Sequence, residues 1–220
     1  MIQPRIAYDK AKLMSEEYVM DEAFRISFLR AEEFDADKAA LRMCRHFETK
    51  SNLFGDDKLV RTITQADLPD DARQFLQEGS IQLLGSRDSL GRIVLAVIPS
   101  ILTSRYLGDS YVHFHWYFLQ CVSADEETQK RGLCYISYAL NSKIEDNEEN
   151  RKVWFGVSMN QKSSSLRVSS FHHCYESRIG PMIGVITHLA TVFTRVRIRQ
   201  HQGSVANEML RIFLFVYFVP

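Results

Sequence analysis

Near residue 80 the chain changes its hydrophobic period, and this change constrains the fold more than any single residue. Before it, apolar side chains recur every three or four positions. Phe24, Phe28 and Ala31 mark one helix over residues 22–31, and Ala36, Ala39, Ala40, Met43 and Phe47 mark a second over residues 36–53. Asp21 and Asp35 stand where N-caps belong, and Gly55 stands where the second helix should stop. Residues 64–79 read as a third helical stretch. After residue 80, strands are expected at 81–84, 92–98, 133–140, 167–172 and 195–201, with helices at 111–128, 150–161, 175–193 and 205–219. Strands alternating with helices predict an α/β sheet with some parallel pairing.

The 220 residues are 45% hydrophobic and 25% charged, which suits one medium domain and excludes a disordered or low-complexity chain. Residues 1–20 read as a loose start or an ordinary helix, residues 21–79 as a helical region and residues 80–220 as the α/β domain. Lys+Arg and Asp+Glu both number 27, so no nucleic-acid partner is expected. The charge is unevenly placed. Residues 151–220 hold nine basic and two acidic residues, which suggests either an anionic partner or attraction between the two parts of the chain. Four cysteines without paired spacing, and no apolar signal region, predict reduced thiols and a cytoplasmic chain. Residues 179–194 are sixteen positions without Lys, Arg, Asp or Glu, fewer than the roughly 20 that cross a bilayer.

Reactive motifs are sparse. His172, His173 and Cys174 are consecutive at an expected strand-to-helix junction, and His113 and His115 are two apart. A nucleophilic Cys–His pair needs an orienting group and an oxyanion site, and zinc needs about four ligands. Neither set is readable, so no catalytic or metal residue is assigned. The glycines fit neither a phosphate loop nor a dinucleotide fingerprint. Arg195, Arg197 and Arg199 alternate and so share one face of a strand. Next to an uncharged segment, they suit phosphate contacts at the mouth of an apolar cavity, or else an edge strand blunted by charge.

FLRAEEFDADKA at residues 28–39, followed by Phe54 and Gly55, resembles the N-terminal signature of the CRAL-TRIO lipid-binding family. RDSLGRIVL at 87–95, QKRGLCYI at 129–136, RVSSFHHC at 167–174 and RIRQH at 197–201 are similar to its later elements, in the right order. In particular the sequence resembles the family's divergent members in diatoms. Ile93 replaces a family proline, and Tyr138 and Asn141 replace an acidic residue and a glycine. The resemblance implies a mixed five-stranded sheet flooring an apolar pocket, a gate helix, and a small helical bundle before them. It implies non-enzymatic binding and transfer or presentation of a lipid of the phospholipid or phosphoinositide class. The expected partners are that lipid, as ligand rather than cofactor, and a transient membrane surface, giving peripheral membrane association. The expected pocket residues are Leu95, Val97, Ile136, Tyr138, Met182, Ile183, Ile186, Leu189 and Phe193, with Arg195, Arg197 and Arg199 for the headgroup or membrane anion. A scaffold without a pocket, binding a protein partner, is the alternative.

Overall fold

The computed structural model describes residues 5–98, 108–138, 148–175 and 197–202. Four helices come first: α1 Ile6–Met14, α2 Glu16–Met20, α3 Glu22–Ala31 and α4 Ala36–Phe54. Each of the last three starts at a side-chain cap. Ser15 Oγ accepts from Tyr18 N–H at 3.2 Å, Asp21 Oδ1 from Phe24 N–H at 2.7 Å and Asp35 Oδ1 from Lys38 N–H at 3.1 Å. Residues 6–20 belong to the bundle rather than to a loose start. Ala11 and Val19 are buried in one cluster with Phe47 and Leu59. The third helical stretch is shorter than its period suggests. Pro69 holds Leu68 in extended backbone, so a 3₁₀ turn at Gln65–Asp67 is separated from helix α5, Asp70–Glu78.

Strand β1, Ile81–Arg87, turns into β2, Ile93–Val97, and pairs with it antiparallel. The Asp88 carboxylate builds the turn by accepting from the backbone N–H of Leu90 and Arg92 at 3.0 and 2.8 Å. The expected helix over 111–128 is two helices, α6 Asp109–Val122 and α7 Glu126–Arg131. Asp125 divides them, because its side chain caps Thr128 N–H at 2.9 Å and so competes with helical continuation. Then come β3 Leu133–Tyr138, helix α8 Glu148–Ser163, β4 Val168–Tyr175 and β5 Arg197–Gln202. From β3 onward each strand pairs parallel to the one before it. The strands therefore cross the sheet in chain order. The α/β class and the mixed pairing expected from the alternation are both present. The expected final helix over 205–219 lies outside the described residues.

Helices α5, α6 and α8 supply one core with the sheet. Phe75 of α5 meets Tyr111 and Phe114 of α6, each with ring centres 5.5 Å apart. Tyr135 of β3 stacks on Phe171 of β4 at 5.1 Å. Helices α6 and α8 approach closely at Gly156, where an added Cβ would come within 2.7 Å of Val112. Three arginines join the bundle to this layer. Arg42 on α4 donates to Glu32 at 2.6 Å and to the carbonyls of Gln161 and Ser164, each at 2.9 Å. Arg30 on α3 donates to Glu126 and Gln129 of α7 at 2.6 and 2.7 Å. Arg167, just before β4, pairs with Glu33.

Polar groups inside the two cores are held by few partners. His115 donates nothing to bulk water: Asn160 Nδ2 reaches its Nδ1 at 3.3 Å and also donates to the Val112 carbonyl at 2.8 Å. His46 lies 3.2 Å from the Ser163 carbonyl. Burial pushes both imidazoles down to about 3, helped at His46 by the Lys50 charge. Lys50 is buried and donates to the Leu59 and Arg61 carbonyls and to Tyr18 Oη. Burial, and then the charge of Arg61, pushes it down to about 8.

Two predictions follow from these contacts. Replacing Asp35 by Ala should lower stability by about 0.5–2 kcal/mol in urea unfolding, and Asp35→Asn should retain most of it. The two imidazoles predict acid sensitivity. Between their ordinary 6.5 and about 3, the unfolded chain binds protons that the folded chain refuses, so stability falls as pH falls. From pH 6.5 to 5 the loss should be about 2 kcal/mol per imidazole, before most carboxylates titrate. Urea titrations of His115→Leu at both pH values should show about half the wild-type difference.

Candidate functional site

The strand register decides which side chains share a face. Along one row, Val94, Cys134, Ser170 and Arg197 are neighbours, and along the next, Ala96, Ile136, His172 and Arg199. The rows between them are Leu95, Tyr135, Phe171 and Ile198, then Val97, Ser137, His173 and Gln200. Because successive residues of a strand point to opposite faces, these two sets belong to opposite sides of the sheet.

The expected pocket set is divided by this register. Leu95 and Val97 are buried on the helix-covered side, in one core with Tyr135, Phe114 and Leu119. Ile136 belongs to a second cluster, with Val94, Cys134 and Cys174. Leu95 and Val97 therefore do not share a wall with Ile136, because parallel pairing aligns Ile136 with Ala96. Tyr138 pairs in register with Cys174. Met182, Ile183, Ile186, Leu189 and Phe193 lie outside the described residues, as does Arg195. Arg197 and Arg199 hold register positions beside Ser170 and His172 on β5, the last strand in the sheet order.

The second cluster is apolar and dry. Val94, Cys134 and Cys174 are fully buried, and Ile136 nearly so. Among the described residues, Leu84 is the partly buried side chain that packs against it. Cys134 and Cys174 act here as small hydrophobes, the usual role of a buried thiol. Ser170 and His172 bring polar atoms to the same side, and both are buried. Ser170 Oγ has no hydrogen-bond partner among the described residues. This face is thus an apolar floor with a polar margin toward β5. Nothing in the spacing of the sequence singles out Val94 and Cys134, and Cys174 stands out only beside His172 and His173. Strand parity would have found them, once β2, β3 and β4 were aligned.

Adjacent members of the two histidine motifs are set on different faces. His172 and Cys174 lie within β4 rather than at a junction, and His173 between them occupies the row of the opposite face. The three cannot converge on one ion. His113 and His115 diverge in the same way. His113 is 2.8 Å from the Asp109 carbonyl and 2.7 Å from that of Leu53, whereas His115 is sealed between α6, α8 and the sheet. Among the described residues no three His, Cys, Asp or Glu side chains are placed to hold a metal ion. No helix among them is long and apolar enough to cross a membrane.

A cavity of ≈ 140 Å³ lies elsewhere, between the helical bundle and α6. It is well short of the roughly 300 Å³ at which pockets for larger ligands begin, and it is not on the apolar sheet face. No family model and no curated protein matches the chain.

Proposed function

We propose that the chain is a CRAL-TRIO-type module that binds one lipid, of the phospholipid or phosphoinositide class, and carries or presents it at a membrane surface without chemical conversion. The observation that supports this most is the second face of the sheet. Val94, Cys134, Ile136 and Cys174 form an apolar cluster there, separate from the helix-covered core. The charge-free residues 179–194 fall in the connection between the parallel strands β4 and β5. In this reading the sheet is the five-stranded floor of the pocket, and residues 179–194 supply its gate. Each lipid methylene moved out of water is worth roughly 0.8 kcal/mol, so a diacyl chain gains far more from such a floor than from a polar surface. Arg197 and Arg199, beside the buried Ser170 and His172, are the residues assigned to an anionic headgroup or membrane surface. A guanidinium grips phosphate through paired hydrogen bonds, which Lys cannot reproduce.

Native mass spectrometry of protein purified from a eukaryotic host, followed by lipid extraction, tests this reading. One bound lipid per chain is expected. Ala96→Phe places a ring beside Ile136 on the proposed floor and should weaken occupancy about tenfold, equivalent to about 1.4 kcal/mol, with the fold retained. A well-folded wild-type protein that never carries lipid would favour the scaffold that binds a protein partner.

The arginine assignment has its own check. Arg197→Gln should reduce flotation with anionic vesicles, most strongly at low salt, because exposed charges are screened within about 8 Å at physiological ionic strength. A lower melting temperature with vesicle binding intact would mark Arg197 as a structural partner of the acidic first part of the chain.

A further inference from the structure

The ≈ 140 Å³ cavity has chemistry that the lipid reading does not use. Three of its walls are aromatic, from Tyr18 of α2, Phe24 of α3 and Trp116 of α6. Leu119 adds an apolar side, and Ser164 a hydroxyl. His46 of α4 completes it and cannot turn away. Its ring is packed against Phe28, Trp116 and Phe24, with centres 5.3, 5.4 and 5.6 Å apart.

The tautomer of His46 follows from its partner. A carbonyl oxygen only accepts, so the Nδ1 that meets the Ser163 carbonyl at 3.2 Å carries the hydrogen. A neutral ring then keeps its lone pair on Nε2. Two of the other polar wall groups, Gln120 and Ser123, are committed elsewhere. Both amide atoms of Gln120 are bonded to Ile63, at 3.1 and 2.8 Å, and the Ser123 hydroxyl donates to the Gln120 carbonyl at 2.8 Å.

Charge narrows the ligand further. Among the described residues no Asp or Glu lines the cavity, so a cation would meet no counter-ion there. Lys50 sits behind Tyr18, 5.4 Å from its ring centre, which further disfavours a cation. Its ammonium is already bonded to two carbonyls and Tyr18 Oη, so it is poorly placed to receive an acid. The volume suits one small ring: a cavity of about 150 Å³ holds a benzene.

We propose that the cleft between the helical bundle and α6 is a binding site for a small, neutral, single-ring aromatic molecule that donates a hydrogen bond to His46, a phenol in chemical class. This inference does not depend on lipid binding, because Trp116 and Leu119 belong to the core on the opposite side of the sheet from Ile136.

Phenol and toluene, nearly equal in shape, are the probes. Isothermal titration of the full chain should show saturable phenol binding with one site per chain, and toluene about tenfold weaker, since an apolar ring leaves the acceptor unanswered. His46→Leu should bring the two affinities together while toluene still binds, a result that mere loss of packing would not give. If that variant does not fold, Ser165→Trp at the rim should abolish binding of both probes with the wild-type fold kept. The proposal is overturned by any of three results: no saturable phenol binding, equal wild-type affinity for the two probes, or unchanged binding in the rim variant.

Discussion

The acidic turn between α3 and α4 is the joint on which the two parts of the molecule depend. Glu33 and Phe34 adopt left-handed backbone there, with φ of 55° and 64°. For residues other than glycine this costs of order 1–3 kcal/mol each. The conformation is held because Glu32 and Glu33 emerge as anchors. Glu32 fixes Arg42, which reaches the end of α8, and Glu33 meets Arg167 at the start of β4. The two pairs are unequal. Arg42 and Glu32 are 15% and 19% exposed, so their charge-assisted bonds are shielded from water. Glu33 is largely exposed, and its pair adds little. Residues 30–33 thus supply Arg30, Glu32 and Glu33 to the contacts between the bundle and the sheet layer, and Arg42 of α4 completes them.

What was legible in the sequence was local. The starts of α3 and α4 could be read because Asp21 and Asp35 cap within three residues. The split between α6 and α7 was missed for a related reason: the apolar pattern of residues 111–128 hid the competing side chain of Asp125. The sheet faces were not legible, because face membership depends on register between strands about 40 residues apart. Leu95 and Ile136 each look like a pocket residue in isolation, and pairing sends them to opposite sides. Cys174 suggests chemistry in the sequence and packs beside Cys134 in the fold. The gate segment and Arg195 lie outside the described residues.

His46 and His115 serve here as flat, weakly polar rings. His46 is enclosed by Phe24, Phe28, Phe47 and Trp116, and His115 lies near Tyr111 and Tyr135. An imidazole in such a place can act as acceptor or donor without a full charge, provided one nitrogen is satisfied. That condition explains why each has one short polar contact and little else. It also distinguishes the two proposed binding surfaces. The sheet face offers hydrocarbon burial with arginines at its edge, and the helical cleft offers ring stacking with a single directional group.

The order of the strands bears on how the chain assembles during synthesis. Each new strand joins the edge left by the one before, and no strand has to insert between two that are already paired. The sheet can thus lengthen as the chain leaves the ribosome, without rearrangement. The Arg42 bond to the Gln161 carbonyl spans 119 residues, which at about 5–20 residues per second is roughly 6–24 s of translation. For that interval Arg42 lacks the carbonyls at the end of α8 and has Glu32 as its partner. This part of the joint closes late, after Arg30 can already reach Glu126 and Gln129 of α7.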